Sequence, residues 1–157
     1  MALPQGDLGL LDDDVAQRLL ASTIPARLAY TGHDGKPRVV PIWFQWTGEE
    51  LVMASLAGAS KAPALRAHPD VAVTIDAEGF PTDVLLLRGR AEVTDVDGVV
   101  PEYAQAARRY LGEEAGAGFL AQLDPATRMH RIAVRPSWVG VLDFKTRLPR
   151  VLGGIQD

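Results

Sequence analysis

The stretch Pro37–Lys61, PRVVPIWFQWTGEELVMASLAGASK, predicts two strands followed by an abrupt break. Its first ten residues are rich in β-branched and aromatic side chains, which suit a pleated and half-buried surface. Thr47 and Gly48 turn the chain, and ELVMAS (50–55) forms the next strand. LAGAS then ends the pattern, and KAPALRAH reads as one or two turns of helix. Upstream, ARLAYT (26–31) is separated from PRVVPIWFQW by the turn-forming GHDGK, so these segments predict a hairpin and then a three-strand meander. Connections this short fit a doubly wound parallel sheet worse, since its crossovers need a dozen residues or more.

Working outward, Asp12, Asp13 and Asp14 precede Val15, Leu19 and Leu20, as acidic side chains do at the positive end of a helix, and Pro25 marks its end. After His68-Pro69-Asp70 comes the strand VAVTID, the loop AEGFPT, and a long strand from Asp83 to Val96. Gly89 interrupts that strand and predicts a bend or bulge of the kind that curls a sheet. From Val99 to Leu123 the period changes to helical: Tyr103, Ala106, Ala107 and Tyr110 share one face, and Phe119, Leu120 and Leu123 begin another. MHRIAVRPSWVGVLDF returns to strand, with Pro136 expected to separate two segments. The order predicts a mainly β protein, a closed antiparallel barrel with peripheral helices, as a single domain over residues 1–157.

At 157 residues, 47% hydrophobic and 23% charged, the chain can bury a core without staples. It has no cysteine, so disulfides, thiolate metal sites and cysteine nucleophiles are excluded, and redox chemistry requires a borrowed cofactor. A net charge of −4 and a pI near 5.3 argue against nucleic acid as a partner. No signal-peptide pattern or apolar run of membrane-spanning length is present, so a cytoplasmic location is expected. His33, His68 and His130 have no metal-ligand spacing, no G-x-S-x-G elbow occurs, and Gly112, Gly116 and Gly118 do not make a dinucleotide loop. Glu113 and Glu114 read as helix-start charges. Tyr103, Tyr110 and His130 are candidate proton donors, against which stand a packing role for the tyrosines and a strand-surface role for His130.

Ser55–Lys61 runs from a strand end through small residues into a helix start, an arrangement suited to an anion. Gly58 and Ala59 allow close approach, Ser60 can cap or donate, and Lys61 adds a point charge. The competing reading makes Ser60 a simple N-cap and Lys61 a solvated first-turn residue.

The arrangement of R-V-V-P-I-W-F (Arg38–Phe44), S-L-A-G-A-S-K (Ser55–Lys61), A-L-R-A-H-P-D-V-A-V and R-G-R-A-E-V (Arg88–Val93) resembles the FMN-binding split barrels related to pyridoxamine phosphate oxidase, with their deazaflavin-using relatives. The likeness spans most of the chain. It implies a split β-barrel that works as a flavin-type oxidoreductase on a small molecule, with its cofactor cleft at a homodimer interface. By the same resemblance Pro41, Ile42 and Trp43 meet the cofactor's pyrimidine end, while Ser55, Ala59, Ser60 and Lys61 surround its phosphate. The spacing of Lys61 and Arg66 resembles the K-x-x-x-L-R pattern of the deazaflavin branch. FMN is the expected cofactor, and a deazaflavin of the F420 type is the alternative. A non-catalytic flavin- or haem-binding protein is the rival from another class. Arg88 and Arg90 share a strand face, opposite to Leu85, Leu87 and Gly89, either as surface charges or as contacts to cofactor or substrate. Two departures argue against oxidation of pyridoxamine phosphate itself: Val84 stands where the oxidase proper carries a glutamine, and the C-terminus RLPRVLGGIQD lacks the oxidase's basic substrate-binding segment.

Overall fold

In the computed structural model, which describes residues 3–148, seven strands form one antiparallel sheet. In chain order these are β1 (Ala26–Thr31), β2 (Pro37–Ile42), β3 (Phe44–Trp46), β4 (Leu51–Leu56), β5 (Asp70–Asp76), β6 (Val84–Asp97) and β7 (Arg128–Leu142). Four α-helices accompany them: α1 (Asp14–Leu20), α2 (Lys61–Ala67), α3 (Pro101–Leu111) and α4 (Glu113–Ala121). The spatial order is β2-β1-β5-β6-β7-β4-β3.

The two edges of this sheet, β2 and β3, are consecutive in the chain and separated only by Trp43. Ile42 pairs with Ala26 of β1, whereas Phe44 pairs with Met53 of β4. The sheet therefore curls until its edges meet at one bent segment, the split barrel expected from the sequence. The ladder itself is not closed, in contrast to the closed barrel expected, because at Trp43 the chain leaves one partner strand for the other.

Gly89 bends β6 as expected. Arg88 is opposite Trp138 and Gly89 opposite Pro136, so Ser137 of β7 is the extra residue of a bulge. Pro136 does not divide the strand. β7 runs unbroken through it because the irregular ladder at the bulge tolerates a residue without an N–H.

Alternation decides which side chains enter the barrel. Leu28, Phe44, Leu51, Met53, Ile75, Leu85, Leu87, Ile132, Val134, Val139 and Val141 are buried inside. Each such side chain stabilises the fold by roughly 1.5–3 kcal/mol. α1 closes the end at which β6 begins: Asp13 caps it by accepting from Val15 N, and Arg18 Nη2 donates to Asp83 (2.7 Å). α2 closes the opposite end, where Arg66 Nη2 donates to Asp95 (2.7 Å). The helical segment expected over 99–123 is the pair α3–α4, which covers Val52, Ala54, Met129 and Ala133 on the outer side of β4 and β7. Glu113 and Glu114 occupy the first turn of α4, as expected.

Candidate functional site

Of the residues singled out in the sequence, Ser55, Ala59, Ser60 and Lys61 lie at the end of the barrel closed by α2. β4 ends at Leu56, and Gly58 turns the chain with φ +89°, a conformation that favours glycine. Ser60 opens α2 with helical dihedrals and makes no capping hydrogen bond, so the simple N-cap reading does not describe it. Its side chain is exposed, and it lines a recess of about 230 Å3 with Tyr30, Gly32, His33, Asp34, Arg38 and Ala64. Lys61 is half-buried. Burial lowers its pKa, and among the described residues no carboxylate opposes that shift. At the end of β4, Ser55 Oγ is buried and has no hydrogen-bond partner. An unpaired ammonium and an unsatisfied hydroxyl are costly to bury unless something polar meets them. Both can hold an anion.

Arg38, which the sequence reading did not single out by itself, lines the same recess as Ser60. It has the same parity along β2 as Val40 and Ile42, which pack on the core, and it pairs across the ladder with Tyr30. At the barrel rim, that orientation brings it to the Ser60 recess while Asp34 holds Nη2 at 2.9 Å. The period-two signal was present in the sequence. Tyr30 and Arg38 also line a larger neighbouring recess of about 590 Å3 on the outer face of the sheet, beside Asp70, Ala72, Arg88 and Arg90. Arg88 lies 4.0 Å from the centroid of the Trp138 ring, and Arg90 Nη1 donates to Asp70 (3.1 Å).

The other expected contacts are more dispersed. Pro41 is three residues along β2 from Arg38, about 10 Å away at the rise of a strand, and it lines a separate recess with Thr23, Ile24, Pro25, Arg27, Asp76 and Glu78. Ile42 packs against the core. Trp43 belongs to neither adjoining ladder, and its ring stacks on Tyr110 (5.0 Å, 7° between planes) and Tyr103 (6.1 Å) beneath α3. This segment can therefore offer backbone at Trp43, but the indole is committed to packing. Tyr103 and Tyr110 have pKa values raised by burial, and Tyr110 Oη donates to Ile24 O (3.0 Å), in line with packing roles. Ala59 is half-buried beside Ser60. Arg66 is bound by Asp95, on the other side of α2 from the recess, and that carboxylate also meets His130 Nδ1 at 2.7 Å. His130 is 14% exposed, so it is not the surface strand residue expected. The C-terminal residues 149–157 of RLPRVLGGIQD lie outside the described residues.

The antiparallel seven-strand sheet, with its two edges meeting at Trp43, defines the split-barrel class. The chain belongs to the pyridoxamine 5'-phosphate oxidase family, whose model matches residues 12–143. Among solved structures, an F420 reductase is 26% identical, with 78% of this chain and 93% of that chain covered and a TM-score of 0.61. A conserved hypothetical protein from Mycobacterium tuberculosis is 19% identical over 81% of each chain, with a TM-score of 0.62. A haem-binding protein from Mycobacterium smegmatis is 22% identical, with 87% of this chain but 55% of that chain covered and a TM-score of 0.59. No curated protein matches the chain. Among the described residues no helix is long and apolar enough to cross a membrane.

Proposed function

We propose that this chain is a flavin-type oxidoreductase that holds FMN, or a deazaflavin in its place, by the phosphate at the α2 rim and acts on a small molecule. The observation that carries the reading is half-buried Lys61 at the start of α2, with no ion-pair partner among the described residues, on the chain segment that leaves the buried Ser55 hydroxyl. Ser60 and Arg38 add donors from the adjoining recess, and Ser55 adds a buried hydroxyl. Ala59 leaves room for the ligand, while backbone at Pro41, Ile42 and Trp43 meets its polar ring edge. Arg66 serves the site through Asp95. The bound cofactor supplies the hydride or electrons, and the protein supplies placement and exclusion of water.

The larger recess is open, and its wall carries exposed apolar side chains. Val39 is 66% exposed and points to the same face as Pro37, Pro41, Ala29 and Ala72. A second copy of the chain covering this face completes the cleft, and the active form is then a homodimer. A cytoplasmic location goes with this reading. FMN is favoured by the family as a whole, the deazaflavin by the likeness to the F420 reductase. A non-catalytic haem-holding role is the second reading. It is supported by the haem-binding neighbour and by His33, an imidazole lining the Ser60 recess.

The test is the absorption spectrum of the purified protein before and after reconstitution with each cofactor. A bound band at about 450 nm identifies flavin, one at about 420 nm the deazaflavin, and an intense Soret band haem. Failure to take up flavin or deazaflavin overturns the oxidoreductase reading.

A further inference from the structure

The inner face of β4, β7 and β6 is built in rungs that end in polar residues. Leu51 is opposite Val134, itself opposite Ala91, and the next rung is Met53, Ile132 and Val93. The third rung is Ser55, His130 and Asp95, directly opposite one another across the same three strands. All three therefore project to the same side, toward the barrel mouth closed by α2.

Asp95 Oδ1 lies 2.7 Å from His130 Nδ1 and 2.7 Å from Arg66 Nη2. With the Nδ1 side of His130 held by a carboxylate, Nε2 remains for other contacts, and no partner for it occurs among the described residues. Its rung neighbour Ser55 Oγ is also unpartnered, though buried. Two unsatisfied polar groups thus stand side by side where β4 leaves for Lys61.

We propose that His130 is a ligand-contacting residue of the α2 rim, its Nε2 donating to an anionic oxygen that Ser55 and Lys61 also meet. Asp95 is the positioning residue that fixes the imidazole. The ligand class is a phosphorylated compound, and the proposal rests on the phosphate reading of that rim. The charged groups around His130 are Asp95 from β6 and, from α2, Arg66 and the Lys61 that meets the same oxygen; Asp95 and Arg66 share one ion-paired unit. β4 contributes only the hydroxyl of Ser55. Arg128 and Asp97 form the next rung outward and pair with each other at 2.9 Å. The imidazolium form of His130 carries the charge that favours the anion.

The experiment is an NMR titration of the His130 imidazole in the full chain, with and without saturating inorganic phosphate, paired with FMN titrations of the wild type and His130→Gln. The expected result is His130 imidazole signals displaced by phosphate, and an FMN affinity in His130→Gln about threefold or more weaker near pH 6 and nearly unchanged near pH 8.5. The phosphate's own second ionisation, near pH 6, affects both proteins alike and drops out of the comparison. Asp95→Asn, which keeps the shape, should give a partial version of the same loss. His130 imidazole signals unmoved by phosphate, or equal FMN affinities near pH 6, overturn the proposal. If FMN binds normally and His130 does not respond, this inference alone fails. If phosphate shifts His130 and FMN does not bind, the inference stands and the flavin reading fails.

Discussion

Gly89 of β6 passes so close to Arg135 of β7 that a Cβ on the glycine would lie 2.6 Å from the Arg135 carbonyl oxygen. That approach occurs beside the bulge at Ser137, where the sheet makes its turn, and Val134 Cγ1 at 2.9 Å leaves no room on the inner side. Gly89→Ala should therefore destabilise the fold by about 2 kcal/mol, read from urea denaturation, because backbone must shift to admit one methyl group. A variant as stable as the wild type would show that the two strands separate here without cost.

Arg109 ties α3 to the bent edge of the barrel. Its Nε donates to Ser22 O (3.0 Å), Nη2 to Phe44 O (2.5 Å) and Nη1 to Gln45 Oε1, while the guanidinium lies 4.9 Å from the Phe44 ring and 5.0 Å from that of Tyr110. Arg109→Met retains much of the stem but leaves the carbonyls without a donor. It should cost about 3 kcal/mol in thermal or chemical denaturation, with Arg109→Lys recovering only part because an ammonium does not match the fork of three acceptors.

Glu102 and Arg131 join α3 to β7. Glu102 Oε1 accepts from Arg131 Nη2 at 2.7 Å and Nε at 3.1 Å, and this hydrogen bonding holds the Glu102 pKa below its ordinary value. A depressed carboxylate pKa contributes stability above the unfolded-state value, about 4.3, and loses it as pH falls through the lower folded value. Glu102→Gln should be less stable than the wild type at pH 7, and the difference should shrink below about pH 4.3. A difference independent of pH would assign the effect to packing.

The barrel was legible in the sequence wherever one physical rule governed a segment. The run ELVMAS marked the strand that became β4, Gly89 announced the bulge, and Asp13 marked the start of α1. Pro136 misled because a proline in isolation signals a strand end, while the bulge that accommodates it depends on Gly89, far away in sequence. The pairing of Arg66 with Asp95 was equally hidden, since it depends on how α2 lies across the barrel end. His130 shared the parity of buried Ile132 and Val134 all along, but its neighbours Ser55 and Asp95 come from two other strands and meet it only in the folded sheet.

Val39, exposed on the outer face of β2, is the most direct probe of assembly. The wild type should scatter light as a dimer at micromolar concentration, and Val39→Asp should shift it toward monomer by placing a charge in an apolar contact. A monomeric wild type contradicts the shared cleft, whatever the variant does.

The phosphate site is tested most directly by comparing FMN with riboflavin, which lacks the phosphate, in titrations of the wild type and Lys61→Ala. The account predicts that the wild type binds FMN at least about tenfold more tightly than riboflavin, and that Lys61→Ala weakens FMN binding at least about tenfold, with riboflavin affinity and folding unchanged. Equal affinity of the wild type for the two flavins, or an undiminished preference for FMN in Lys61→Ala, would contradict it.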